Sequence, residues 1–91
     1  MTALDIIDRV ATARGIKVRD LRGPSRFRIF VIARHEAMFL LRVLTPMSYP
    51  DIGRAMGNRN HSTVMSACAK VSEACEVSPE YHAGLLAMVA T

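Results

Sequence analysis

The sequence predicts an all-α fold, a small helical domain carrying a helix-turn-helix. Three observations lead there. Apolar residues recur at helical spacing from Leu4 to Val89, and no segment alternates as a strand would. Capping residues stand where the apolar runs begin, and Gly or Pro where they stop. Two of the runs, 49–56 and 61–76, are joined by a tight turn containing Gly57, which gives them helix-turn-helix proportions.

Thr2 with Asp5 forms the signature of an N-cap and its capping-box partner. Leu4, Ile7, Val10 and Ala11 then make an inward stripe, and Gly15 closes the helix with Arg14 in its last turn. Ile16 to Leu21 is a short helical turn packing Ile16, Val18 and Leu21 inward. Arg22-Gly23-Pro24-Ser25-Arg26-Phe27-Arg28 is a basic loop, broken by its Gly and Pro. From Ile29 to Leu44 the pattern is long and apolar, through Ile29, Val31, Ile32, Ala33, Ala37, Met38, Leu40, Leu41 and Leu44; this is the expected central helix. Thr45-Pro46-Met47 ends it. Ser48 is the next N-cap, with Pro50 in the first turn and Asp51 reaching back. Ile52, Ala55 and Met56 are that helix's buried stripe, and Gly57 its stop. Val64, Met65, Ala67, Cys68, Val71 and Cys75 mark the following helix. Ser78-Pro79-Glu80 opens the last one, with Tyr81, Leu85, Leu86 and Val89 available for packing.

At 91 residues the expectation is one domain, 1–91, with one core. A hydrophobic fraction of 51% against 22% charged residues makes it a folding chain. The absence of Trp and scarcity of Tyr and Phe argue against an aromatic platform for single strands. Charge is unevenly spread. Residues 9–59 hold ten Arg and Lys17 against Asp20, Glu36 and Asp51, a net +8, while the segments on either side are each −2. Arg suits phosphate and guanine contacts; solubility is the plain alternative. Cys68 and Cys75 lie two turns apart on one helix, too far for a bridge, and are expected as buried free thiols in a reducing cytoplasm. No apolar run approaches a membrane span.

The most informative stretch is Met56-Gly57-Asn58-Arg59-Asn60-His61-Ser62-Thr63-Val64. It sets small polar side chains at a helix N-terminus, where free N–H groups and a partial positive charge suit a phosphate or a base edge. Each residue there also has a plain reading. His61 could be a surface residue, Asn60 an N-cap, Ser62 and Thr63 first-turn filler. Likewise Arg26 and Arg28 could be solvated loop charge, Pro50 a helix starter and Leu44 core. His35, Glu36 and His82 do not form a metal site, because His35 and Glu36 point to different sides of a helix and the cysteines lack CxxC spacing. No nucleophile–base pair stands out, so no enzymatic role is expected.

Ala33-Arg34-His35-Glu36-Ala37-Met38-Phe39-Leu40-Leu41-Arg42, Leu44-Thr45, Ser48-Tyr49-Pro50-Asp51-Ile52-Gly53, Gly57-Asn58-Arg59-Asn60-His61-Ser62-Thr63-Val64 and Ala67-Cys68-Ala69-Lys70-Val71 occur in order without a gap. They resemble the C-terminal DNA-binding domain of the bacterial replication initiator DnaA, whose signature runs through GGRDHTTV and ACRKI. The resemblance implies a Trp-repressor-like helix-turn-helix reading a nine-base-pair DnaA box in double-stranded DNA. It implies a minor-groove Arg at Arg26, with Arg28 auxiliary. It places the base- and phosphate-reading positions on Asn60, His61, Ser62 and Thr63, and backbone contacts on Arg42, Leu44, Pro50 and Arg59.

The chain departs from the family's pattern in several places. Asn60 replaces the signature's Asp and Ala69 its Arg. Pro24 and Ser25 stand where basic residues are usual, and Phe27 and Ile29 where small polar ones are. No Walker A sequence is present, and the chain has no room for the initiator's ATPase fold. No cofactor is therefore expected. Met1-Thr2 running into the first helix reads as a natural start, against the alternative of an excised domain. The expected partners are duplex DNA, bound as a monomer, and proteins of replication or transcription, in the cytoplasm at the nucleoid. The rival expectation is a protein-interaction module with lost or altered DNA reading.

Overall fold

A computed structural model describes residues 1–90. Six helices follow in order: α1 (Ala3–Arg14), α2 (Val18–Arg22), α3 (Arg28–Leu44), α4 (Tyr49–Ala55), α5 (His61–Val77) and α6 (Pro79–Val89). No strand occurs among the described residues. The starts are locally specified. Thr2 Oγ1 accepts from the Asp5 N–H at 3.2 Å, and the Thr2 N–H donates to Asp5 Oδ2 at 2.9 Å. Ser48 and Asp51 repeat this box at α4, and Ser78 caps α6 through the Tyr81 N–H. Gly15, at φ +69°, ends α1 in the left-handed conformation.

The core draws on all six helices: Ile6, Ile7 and Val10 of α1, Leu21 of α2, Met38, Leu40 and Leu41 of α3, Ile52 of α4, Val64 and Val71 of α5, and Leu85 and Val89 of α6. α3 is the axle and touches each of the other five. Several expected core positions face outward instead. Leu4 is exposed and Ile6 takes its place; Ile29, Ile32, Leu44, Met65 and Leu86 are exposed as well. At α3, Ile29 and Leu44 lie in its first and last turns, where the buried stripe of Ala33 to Leu41 has given out. Phe39, absent from the apolar stripe read in the sequence, is buried. Cys68 is buried and Cys75 half-buried; both are free, and burial pushes both thiols up.

Two charged residues of α3 lie inside, Arg34 at 5% exposure and Glu36 at 1%. Glu36 accepts a two-pronged bond from Arg14, 2.7 Å on each oxygen, and a third from the Tyr81 hydroxyl at 2.5 Å. One carboxylate thus ties α1, α3 and α6. It is stable inside because three hydrogen bonds, two of them from a charged guanidinium that reaches both oxygens, meet its charge. Arg9 adds a second tie between α1 and α6, donating to the Val89 carbonyl at 3.0 Å.

Glu36→Ala should lower the unfolding free energy by about 2–3 kcal/mol, read from urea midpoints, because it strands the Tyr81 hydroxyl and Arg14; partial exposure of Arg14 limits the loss. Burial, then the bond to Glu36, push the Tyr81 hydroxyl above its ordinary value of 10.0. Its stabilising contribution is whole below that value. It falls as pH rises past it, since the unfolded phenol releases its proton first. Tyr81→Phe should therefore flatten the alkaline stability loss above about pH 10.

Candidate nucleic-acid interface

The α4–α5 unit is built by its turn. Gly57 has φ +85° and Asn58 φ +62°, a pair of left-handed residues that reverse the chain in a few residues. A side chain on Gly57 would collide with the Arg22 carbonyl, and one on Gly53 with the Arg59 carbonyl. The Arg59 N–H donates to the Gly53 carbonyl at 2.8 Å, closing the turn onto α4. Asn60 then caps α5: its Oδ1 accepts the Ser62 N–H at 2.8 Å. Asn60, His61, Ser62 and Thr63 are all exposed and share this one helix end. Val64, directly after them, is fully buried and anchors the end to the core.

The basic loop is held against this turn by two inward-facing arginines. Arg34 donates to three carbonyls, Leu21 at 2.8 Å, Ser25 at 3.1 Å and Asp20 at 3.1 Å. Arg59 donates to the carbonyls of Arg22, at 3.0 Å, Gly23 and Met56. Burial makes both guanidiniums somewhat less basic than usual. Between them they engage the carbonyls of residues 20, 21, 22, 23 and 25. His35, beside them, is held below its ordinary value by burial and then by Lys70, Arg34 and Arg59.

The net +8 segment is therefore not eleven free cations. Arg34 and Arg59 face inward, Arg14 is bound to Glu36, and Arg54 pairs with Asp51. Arg19, Arg22, Arg26, Arg28 and Arg42 are exposed. Arg42 lies over the Tyr49 ring, 4.1 Å from its centroid, and donates to the Met47 carbonyl at 3.2 Å. That places it beside exposed Pro50 at the start of α4, with exposed Leu44 at the end of α3. Arg28 opens α3 and lines a shallow groove of about 670 Å³ with Ala13, Arg14, Ile29, Ile32, Glu36 and Tyr81. Sequence reading missed Arg34 and Tyr49 as parts of this surface's frame. Arg34 had a signal, since it falls on the same helical stripe as Met38 and Leu41. No three His, Cys, Asp or Glu side chains come together as a metal site among the described residues. No described helix is long and apolar enough to cross a membrane.

The profile of the bacterial dnaA protein helix-turn-helix matches residues 4–71, from α1 through most of α5. The chain belongs to the DnaA helix-turn-helix family. It is 42% identical over 76 residues to the chromosomal replication initiator protein DnaA of Rickettsia bellii, covering 84% of this chain. It is 43% identical over 83 residues to that of Thermus thermophilus, covering 91%, and 50% identical over 64 residues to that of Acinetobacter baumannii, covering 70%. The match takes in only 16%, 19% and 14% of those proteins. The fold is the small all-α one expected for the family, with its helix-turn-helix at α4–α5.

The DnaA-family position occupied by Asn60 carries a structural load in this chain. Asn60→Ala should cost about 1 kcal/mol in a urea titration through loss of the cap. Asn60→Asp, which restores the family's signature residue and can still accept the Ser62 N–H, should stay within about 0.5 kcal/mol of the parent.

Proposed function

We propose that this DnaA-family chain binds double-stranded DNA sequence-specifically, at DnaA-box-like sites, in replication initiation or its regulation. The observation that carries the reading is the exposed polar end of α5 set beside a basic loop with a fixed backbone. In this reading α5 enters the major groove. Asn60 and His61 face base edges, and Ser62 and Thr63 contact bases or phosphate. Arg26, with Arg28 beside it, enters an A·T-rich minor groove, whose narrow walls attract a guanidinium. Arg42, held over Tyr49, faces backbone phosphate near Pro50 and Leu44. Arg59 is the expected backbone contact whose guanidinium is already taken by carbonyls, so its part here is to hold the loop. The chain acts as a monomer, without a cofactor and without catalysis.

Gel-shift titration tests the reading. With about four phosphate contacts, the slope of log affinity against log salt should be near −3.6. A flat response would remove the model. His61→Ala should weaken the specific duplex about tenfold more than random duplex. Arg26→Ala should chiefly erase preference for an A·T-rich edge. Equal losses on every sequence would sink both assignments.

A rival reading, a protein-interaction module, has one supporting observation: exposed Ile29 and Ile32 in the groove beside Arg28. No shift at low salt, together with capture of a replication protein, would favour it.

A further inference from the structure

We propose that Arg59 and Arg34 are positioning residues that set the spacing between minor-groove and major-groove contacts, and so select the length of DNA site the chain accepts. The inference rests on the DNA-binding reading above.

α2 is five residues long and ends at Gly23 in an extended conformation, φ −82°, not in a left-handed cap. Its last carbonyls therefore need donors from elsewhere. They receive them from two elements remote in sequence. Arg34 comes from α3, and Arg59 reaches back 36 and 37 residues from the α4–α5 turn. Only a guanidinium offers enough donors in one plane to gather three carbonyls; an ammonium is a single point. The bare backbone of Gly57 then seats against the Arg22 carbonyl, so shape fixes what the bonds hold.

The two reading arms lie next to this clamp. Arg26 follows Ser25, whose carbonyl Arg34 holds at 3.1 Å. Asn60 follows Arg59 itself. Each arm is one residue from a tethered point, and the tethered points are bonded to one another through residues 20–25. The separation of the arms is thus a property of the folded chain before DNA arrives. One inserted base pair lengthens a site by about 3.4 Å, far more than hydrogen bonds of this kind stretch. A rigid pair of arms must then give up one set of contacts, whereas a loosened pair can follow.

The test uses the full chain and the tightest duplex it selects from a random pool. That duplex is compared with the same duplex carrying one extra base pair between the footprints of the loop and of α5. For the wild-type chain the insertion should weaken binding at least about thirtyfold. Arg59→Gln should bind the parent duplex more weakly yet lose less than about threefold on insertion. Arg59→Lys, keeping the charge but not the fork, should fall between them. If Arg59→Gln does not fold, Arg59→Lys and Arg34→Lys carry the comparison, each expected to show a smaller insertion penalty than wild type. A wild-type chain indifferent to the insertion overturns the inference. So does a folded variant that keeps the full wild-type penalty at reduced affinity, which is what a phosphate-contacting or merely stabilising arginine would give. A wild-type chain that selects no duplex overturns the DNA-binding reading itself.

Discussion

The carbonyl groups of residues 20, 21, 22, 23 and 25 are the constraint on which the surface formed by the basic loop and the α4–α5 unit depends. A five-residue helix has no stability of its own in water, because the cost of nucleation is not recovered in so few turns. α2 persists because Leu21 is buried and because Arg34 and Arg59 satisfy the carbonyls it cannot satisfy internally. Everything that follows along the chain inherits that geometry: the course of the basic loop, the point where α3 begins, and the contact between loop and helix-turn-helix.

α3 divides the molecule into two jobs. Arg34 and Glu36 are two residues apart, about 200° around a helix, so they face nearly opposite sides. Arg34 works toward α2 and the loop. Glu36 works toward α1 and α6, through Arg14 and Tyr81. Charged groups of this kind are poor sources of net stability but strong sources of definition, because a wrong arrangement leaves a buried charge unpaired. The apolar core between them tolerates repacking more readily than either ion cluster does. The order of the loop and helix-turn-helix face and the attachment of the two outer helices are thus specified by polar groups, around a core that supplies the driving force.

What could be read in the sequence was mostly local. Thr2 with Asp5, Ser48 with Asp51, Asn60 and Ser78 cap helices through partners two or three residues away, so the information lies within one window. The same holds for the Gly57 turn and for the exposed group Asn60–Thr63. Helical spacing marked the inward side of Arg34, but not the partners of Arg34 and Arg59 on α2 and the loop, since those acceptors lie between 9 and 37 residues distant and are backbone atoms with no side-chain signature. Glu36 was hidden by distance alone, its side-chain partners Arg14 and Tyr81 lying 22 and 45 residues away. Helical spacing put Leu4, Ile29, Ile32, Leu44, Met65 and Leu86 among the inward residues, and all six are exposed; which side of each helix meets a neighbour is set by packing between helices, not by spacing within one.

The cap made by Asn60 has a consequence for molecular recognition. Its Oδ1 faces the Ser62 N–H, which turns the acceptor half of the amide back into its own helix. What remains to face a partner is dominated by the NH2, a pair of donors. A carboxylate at that place has two oxygens, so one can cap while the other still accepts from outside. Exchanging the acid for its amide therefore reverses the polarity of the outward group. A surface that sought hydrogen-bond donors becomes one that seeks acceptors, such as a purine N7 or a keto oxygen, with no change in the fold around it.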